Sequence, residues 1–224
     1  MMGRELLRPT VPGDEGQMKA LWKACFGDED WYIDGFFAKG YTPGRGMVLE
    51  AEGEIASMLL TFSQEMVDPD GRKVPIWYVY AFCTKPSVQR RGFGRRLLAW
   101  TEAQAAQQGK RGVVMVPGER SLFDFYGTLG YQTVFSTWEQ VISRENPATA
   151  LSQVTLCTLE EYHQRRGQWL RGRWWIDYPE ESAAWQAQLC RASGGGLYRI
   201  GDGIAAVECW GGAVTVKELL AGEP

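Results

Sequence analysis

The segment Thr84–Leu97 reads TKPSVQRRGFGRRL and is the most informative part of this chain. Pro86 keeps the chain out of a helix at that point, and Gly92 and Gly94 flank the predicted start of a helix that runs to about residue 108. A helix N-terminus presents unpaired N–H groups and a partial positive charge, so it suits a phosphate. Four arginines crowd this end, namely Arg90, Arg91, Arg95 and Arg96. Because an empty helix N-terminus favours acidic side chains, this basic cluster indicates that a polyanion binds there.

Two common phosphate-binding motifs do not fit this segment. A P-loop requires the pattern GxxxxGK[ST], which the sequence lacks. A dinucleotide fingerprint requires a third glycine at the position that Leu97 holds. Taken alone, the segment leaves one alternative open, which is a solvated arginine cluster at an ordinary helix start.

The flanking segments predict a mixed sheet. Val74–Thr84 (VPIWYVYAFCT) is rich in aromatic and β-branched residues and is predicted to be a buried strand. The short apolar run Gly112–Val116 predicts another strand, and the helix between the two predicts parallel pairing with a right-handed crossover. The other elements predicted before residue 143 are strands at Glu5–Arg8, Met47–Glu50, Ile55–Ser63 and Tyr131–Ile142, and helices at Glu15–Phe26, Trp31–Lys39 and Ser121–Leu129.

The second half of the chain repeats the order of the first. Residues 143–150 (SRENPATA) are polar with a proline and are the best linker candidate. After them come a predicted strand, two helices and three strands, which is the order found from Glu5 to Thr84. We therefore predict a first domain over residues 1–145 and a partial, degenerate copy of it over residues 151–224. An unrelated α+β accessory domain is the alternative for the second region.

A further motif follows the Gly112–Val116 strand, in the run SLFDFYGTLGY. Together with the arginine-rich segment it resembles the GNAT superfamily of acyl-CoA-dependent N-acyltransferases, whose phosphate loop reads Q/R-x-x-G-x-G/A and whose later helix carries FY-x-x-x-G-F/Y. The matching residues are Gln89, Gly92 and Gly94 in the loop and Phe125, Tyr126, Gly130 and Tyr131 in the helix and at its end. The resemblance implies an α/β fold with an α+β mixed sheet of the GNAT type, followed by a smaller GNAT-like α/β unit. The run Pro117–Glu119 departs from the pattern, since many members have an asparagine there.

The resemblance also implies where acetyl-CoA, as co-substrate, is held. Its diphosphate is expected on the loop, and its pantetheine is expected along the end of the preceding strand, in a wedge where this strand and the next splay apart. The implied cofactor-binding residues are Phe82, Cys83, Thr84, Gln89, Arg90, Arg91, Gly92, Phe93, Gly94 and Arg95. Tyr126 is the implied catalytic residue, because the family's matching tyrosine can protonate the departing thiolate.

The implied function is an acetyl-CoA-dependent N-acetyltransferase, which moves an acetyl group to a primary amine by direct transfer in a ternary complex. The acceptor is expected to be a small-molecule or peptide amine. A non-catalytic acyl-CoA-binding or sensing module is the alternative. Some group must take the proton of the amine, and the candidates Glu50, Glu65, Asp34 and Glu139 stay open. Cys83 lies in a buried strand and is interpreted as a core thiol.

Composition excludes several other classes. The net charge of −3 and the pI of 5.4 disfavour nucleic acid and membrane surfaces as partners. No signal peptide and no membrane-spanning run is apparent. Five cysteines without CxxC spacing suit reduced thiols in the cytoplasm. A single histidine, His163, disfavours a catalytic triad or a metal centre, so no metal is expected. The sequence leaves a homo-oligomer open.

Overall fold

The fold comes from a computed structural model that describes residues 5–137, 139–141 and 154–222. The strands are β1 (Glu5–Pro9), β2 (Gly46–Ala51), β3 (Glu54–Val67), β4 (Lys73–Thr84), β5 (Val113–Met115), β6 (Val154–Leu156), β7 (Trp175–Asp177), β8 (Gly196–Ile200), β9 (Gly203–Trp210) and β10 (Ala213–Leu220). The helices are α1 (Glu15–Phe26), α2 (Asp30–Lys39), α3 (Phe93–Gln107), α4 (Arg120–Gly127), α5 (Leu159–Trp169) and α6 (Glu180–Ala192), and a short 3-10 helix spans Pro86–Val88.

The first sheet has the strand order β1-β2-β3-β4-β5. Its first four strands are antiparallel neighbours, whereas β4 and β5 are parallel, as the helix between them predicts. Helices α1 and α2 cover one face of this sheet, and α3 covers the other. The mixed sheet with helices on both faces confirms the predicted fold class.

Helix α1 shows how the sequence pattern becomes packing. Met18, Leu21 and Trp22 recur at helical spacing, and all three are buried against the sheet. The helix ends at Gly27, whose φ of 73° is the left-handed conformation that glycine adopts without steric cost. Trp22 then contacts Phe36 of α2, with ring centroids 5.1 Å apart, and this contact joins the two helices over one core.

Strand β4 carries an irregularity near its end. Met58 of β3 pairs with Cys83 and Leu60 pairs with Tyr80, so two β4 residues, Ala81 and Phe82, lie opposite a single β3 residue. Ala81 has a φ of 48°, which is uncommon for a residue with a side chain. This β-bulge reorients the end of β4.

The second sheet has the order β6-β8-β9-β10, with every neighbouring pair antiparallel. Helices α5 and α6 pack on it around a separate small core. Apart from β7, which pairs with the first sheet, the succession of one strand, two helices and three strands is the one predicted from the sequence. Its four strands follow the same spatial order as β1 to β4 of the first sheet.

Two predictions for secondary structure were wrong. No strand was predicted at Trp175–Asp177, yet β7 forms there and pairs antiparallel with Glu65–Val67 of β3. A strand was predicted over Tyr131–Ile142, but residues 131–137 and 139–141 lie in no helix or strand, and Trp138 and Ile142 fall outside the described residues. The bounds of the two predicted domains stay a prediction, because β7 of the second region pairs with a strand of the first sheet.

Candidate functional site

The pairing of β4 with β5 stops at the point where the resemblance implies a wedge. Their parallel pairing runs from Trp77 with Val113 to Val79 with Met115 and then stops. Strand β4 continues through Tyr80–Thr84 beyond the last β5 residue. Its other edge stays paired with β3, so the backbone of this end is held firmly while one edge is open. An open strand edge of this kind can pair with an extended ligand.

Side chains hold the last residues of β4 in place. The Ser57 hydroxyl donates to the carbonyl oxygen of Cys83 at 2.8 Å and lies 2.9 Å from the Thr84 hydroxyl. The amide nitrogen of the Gln89 side chain donates to the carbonyl oxygen of Thr84 at 3.2 Å. These bonds connect the strand end with the loop that leads into α3.

The start of α3 offers backbone N–H groups. Gly92 caps the helix with a φ of 78°, and Arg90 has a φ of 62°, a left-handed conformation that costs a non-glycine residue about 1–2 kcal/mol. The first backbone bond of the helix runs from the Arg96 N–H to the Gly92 carbonyl at 3.1 Å. Within the described residues, no acceptor is found for the N–H groups of Phe93, Gly94 and Arg95. Such a run of free donors suits an anion.

Gly94 brings the helix close to the end of β4. A Cβ at this position would lie 3.1 Å from the Thr84 hydroxyl oxygen and 3.2 Å from a ring carbon of Phe82. Both distances are shorter than ordinary van der Waals contact, so a side chain here would push Thr84 or Phe82 aside, and glycine is favoured. The sequence alone indicates that glycine at position 94 leaves space for a ligand. The structure adds a second reason, which is the packing of α3 against β4.

Two of the four arginines of the loop contact other side chains. Arg96 forms an ion pair with Glu5 at 2.6 Å, and this hydrogen bond lowers the pKa of the Glu5 carboxyl. The guanidinium groups of Arg91 and Arg96 lie 4.8 and 5.2 Å from the ring centroid of buried Phe93. Arg90 and Arg95 are exposed, and neither forms an ion pair in the described part of the chain. Arg96 therefore links α3 to β1, and the binding of an anion at this helix start stays a prediction.

Tyr126 of α4 lies against the end of β4. Its ring centroid is 6.4 Å from that of Phe82 and 5.8 Å from that of Tyr131. The residue is 8% exposed, and its burial raises the pKa of the phenol. No hydrogen-bond partner of its hydroxyl is found among the described residues. The hydroxyl therefore keeps its proton at neutral pH and has a hydrogen bond to give.

Cys83 is a buried thiol, as the sequence predicts. Its hydrogen bond with Cys25 and its burial both raise the pKa of the thiol far above the ordinary value. Nucleophilic cysteines need the opposite shift, because the thiolate is the reactive form. Cys83 is thus a packing residue, and its backbone carbonyl is engaged by Ser57 of β3.

The four carboxylates proposed as proton acceptors do not contact the strand end. Glu50 pairs with Arg8 at 3.1 Å, Glu65 with Lys73 at 2.6 Å and Asp34 with Lys19 at 2.7 Å, while Glu139 is exposed. The sequence missed another arrangement beside the wedge. There the hydroxyls of Tyr32 and Tyr80 lie 2.6 Å apart. The two tyrosines are 48 positions apart in sequence, one in α2 and the other in β4. No local sequence pattern therefore predicts their contact.

Other features of the structure lie apart from the wedge. A cleft of about 450 Å³ lies beside Phe62, Arg45 and Glu180, toward the β7 end of the first sheet. Within residues 5–137, 139–141 and 154–222, no group of three or more His, Cys, Asp or Glu side chains is arranged to hold a metal ion. None of the described helices combines the length and apolar character needed to cross a bilayer.

The mixed sheet, the parallel strand pair whose pairing stops at Met115 and the donor-rich helix start define an α/β acyltransferase fold. The family model described as an acetyltransferase (GNAT) domain matches residues 7–134, which is more than half of the 224-residue chain. The chain belongs to the GNAT acetyltransferase family. A comparison with curated proteins gives no match.

Solved structures are similar over nearly the whole chain. The GCN5-related N-acetyltransferase from Anabaena variabilis has a TM-score of 0.71 at 17% identity and covers 97% of this chain. The one from Kribbella flavida has a TM-score of 0.68 at 13% identity and covers 99%. Eis1 from Mycobacterium abscessus has a TM-score of 0.67 at 12% identity and covers 98%. The chain spans 58%, 58% and 59% of the lengths of these three proteins, respectively, and identities this low support the fold alone.

Proposed function

We propose that this chain is an N-acetyltransferase, which transfers an acetyl group from acetyl-CoA to a primary amine. The observation that carries the proposal is the juxtaposition of free N–H groups at the start of α3 with the open edge of β4. The free N–H groups suit the diphosphate of acetyl-CoA. The open strand edge suits the pantetheine arm, whose amide groups can pair with it. The two features lie close together, since a Cβ at Gly94 would be only 3.1 Å from the Thr84 hydroxyl oxygen.

The residues of this region fit acetyl-CoA in charge and in hydrogen-bonding capacity. The backbone N–H groups from Gln89 to Arg95 would hold the diphosphate, and exposed Arg90 and Arg95 would supply positive charge. The backbone of Phe82–Thr84 would pair with the pantetheine arm. Phe93 is buried, and the guanidinium groups of Arg91 and Arg96 lie over its ring. This packing supports the loop.

When bound, acetyl-CoA supplies a thioester whose carbonyl carbon an amine can attack. A backbone N–H near Cys83 stabilises the negative charge that develops on the carbonyl oxygen. As the C–N bond forms and the C–S bond breaks, the hydroxyl of Tyr126 would donate its proton to the departing sulfur. The nitrogen would release one proton to water, from which the tyrosine is reprotonated. No protein nucleophile is required, and the raised pKa of Cys83 supports direct transfer in a ternary complex.

We further propose that residues 1–145 form the GNAT domain and that residues 151–224 are a partial, degenerate copy of it. The strand order β6-β8-β9-β10 supports this, since it parallels β1-β2-β3-β4. The copy has no counterpart of α3 among the described residues, so acetyl-CoA would bind to the first domain only.

The direct test is release of the CoA thiol from acetyl-CoA in the presence of polyamines, aminoglycosides, amino acids and lysine peptides. Turnover with at least one primary amine is expected, with intersecting double-reciprocal lines that indicate a ternary complex. Tight CoA binding without turnover of any amine would contradict the enzyme and favour the acyl-CoA-sensing alternative.

A charge-reversed pair of variants tests the cofactor site. Arg95→Glu should weaken CoA binding by roughly 10-fold or more, since a charge-assisted hydrogen bond contributes about 1.5–3 kcal/mol. Glutamate is favourable at the start of a helix, so the fold should not suffer. Arg72→Glu changes the same charge on an exposed arginine between β3 and β4 and is the control. Equal CoA affinity in both variants would place the diphosphate elsewhere.

A further inference from the structure

The paired hydroxyls of Tyr32 and Tyr80 lie where an acceptor would meet the thioester. Tyr80 is the first β4 residue beyond the pairing with β5 and the last before the bulge. Its side chain packs on the α1–α2 face of the sheet, together with Ala81. Phe82 and Tyr126 belong to the core on the opposite, α3 face. The end of β4 thus separates the leaving-group acid from the tyrosine pair.

Two carboxylates close to this pair are held by neutral donors. Asp28 accepts a hydrogen bond from the indole nitrogen of Trp22 at 2.7 Å. Glu208 is only 9% exposed and accepts from the side chains of Gln186 at 2.8 Å and Trp210 at 2.9 Å. After burial, the charges of both carboxylates raise the pKa of Tyr32. Their negative field therefore reaches the hydroxyl pair.

Neither carboxylate has a cationic partner within the described part of the chain. Comparable acidic groups elsewhere do have one: Asp14 pairs with Arg8 at 2.7 Å, and Glu218 pairs with Arg166 at 2.9 Å. Burying a carboxylate without a counter-charge is costly. Glu208 is the buried member, so it keeps a negative charge near Tyr32 that a cationic ligand would neutralise. Asp28 is half-buried and lies beside Lys23, whose ammonium donates to the Asp28 backbone carbonyl oxygen at 2.9 Å.

Aromatic rings from both halves of the chain border this site. Trp31 of α2 stacks on Trp210 of β9, with centroids 5.0 Å apart, and both rings are partly exposed. Trp185 of α6 packs against Tyr32, with centroids 5.9 Å apart. Aromatic faces beside carboxylates favour ammonium groups through cation–π attraction.

We propose that the Tyr32–Tyr80 hydroxyl pair, flanked by Asp28 and Glu208, is the acceptor site and that it takes an amine carrying a second positive charge. The reacting amine contacts the hydroxyl pair, and the second ammonium group lies against the carboxylates. Glu208 comes from the second half of the chain, which therefore contributes to acceptor choice. This inference rests on the proposed acetyl transfer.

The test compares two acceptors of equal length in the thiol-release assay. 1,4-Diaminobutane carries a second ammonium group where 4-aminobutan-1-ol carries a neutral hydroxyl. The diamine should show a kcat/KM at least about 10-fold higher, and Glu208→Gln should reduce that ratio to near one. Tyr80→Phe should raise the KM for the amine several-fold and leave the KM for acetyl-CoA unchanged. Tyr78→Phe removes a hydroxyl from the same strand without touching the pair and should change neither KM.

Each outcome separates the inference from the proposed function. If the wild-type protein acetylates other amines but does not prefer the diamine, the acceptor site is wrong and acetyl transfer stands. A ratio that Glu208→Gln and Tyr80→Phe both leave unchanged overturns the inference in the same way. If Glu208→Gln does not fold, Tyr80→Phe decides. Absence of turnover with any amine overturns the proposed function and the inference together.

Discussion

Replacing Tyr126 with phenylalanine should separate catalysis from stability. The ring of Tyr126 packs against Phe82 and Tyr131, and phenylalanine preserves these contacts. Its hydroxyl has no partner among the described residues, so no hydrogen bond is lost. The free energy of unfolding should therefore change by less than about 0.5 kcal/mol.

The expected loss in kcat follows from the role of the hydroxyl as a proton donor. General acids contribute about 10²–10⁴-fold. A thiol has an ordinary pKa of about 8.5, so the thiolate leaves fairly readily without help. We expect the low end of the range, about 100-fold, or about 2.7 kcal/mol in the activation barrier. Because burial raises the pKa of Tyr126, the wild-type rate should not fall through loss of this proton below about pH 9.

The assay is steady-state thiol release, with urea denaturation measured on the same preparations. Tyr131→Phe is the matched control, since its hydroxyl donates to Glu102 at 2.5 Å. That variant should lose about 1.5–3 kcal/mol of stability and keep its kcat. A kcat for Tyr126→Phe within about threefold of wild type would refute the reasoning, because general-acid help is worth far more.

Three further predictions concern the fold. Arg166→Met leaves Glu218, whose side chain is 25% exposed, without its cationic partner and should lower the unfolding free energy by about 1–3 kcal/mol in urea denaturation. Gly92→Ala meets no atom within 4 Å, so its cost is conformational, about 1–2 kcal/mol in the same measurement; an unchanged midpoint would mean that this φ is not positive. The hydrogen bond from Arg8 lowers the pKa of Asp14, so Asp14 stabilises the fold above its unfolded pKa of about 3.9, and this contribution is lost as pH falls through the lower folded value. Asp14→Asn should consequently flatten the loss of stability between about pH 5 and 2, as followed by thermal melts.

Most of the fold could be predicted because its signals are local. The helical spacing of Met18, Leu21 and Trp22 and the apolar run of β4 depend on near neighbours in sequence. Strand β7 has only three residues, and it forms because β3 extends beyond β2 and offers a free edge there. The predicted strand after Gly130 failed for the same kind of reason. A strand needs a partner, and apolar residues alone do not supply one.

The residues of the candidate site differ in the same way: some could be predicted from local sequence motifs, and others depend on contacts between distant segments. Gly92 of the loop and Tyr126 of α4 could be found by motif, since each motif lies within a few residues of sequence. The ion pair between Arg96 and Glu5 joins residues 91 positions apart in sequence and has no sequence signature. The pairing of Tyr32 with Tyr80 depends likewise on how α2 docks on β4.

The pairing of β7 with β3 has a consequence for protein engineering. Three backbone residues from the second half, together with the ion pair between Lys73 and Asp177 at 3.1 Å, seal an edge of the first sheet. A fragment expressed as residues 1–145 would present Glu65–Val67 to solvent as a bare template for intermolecular strand addition. We expect such a fragment to aggregate, so the two halves are better handled and truncated as one folding unit.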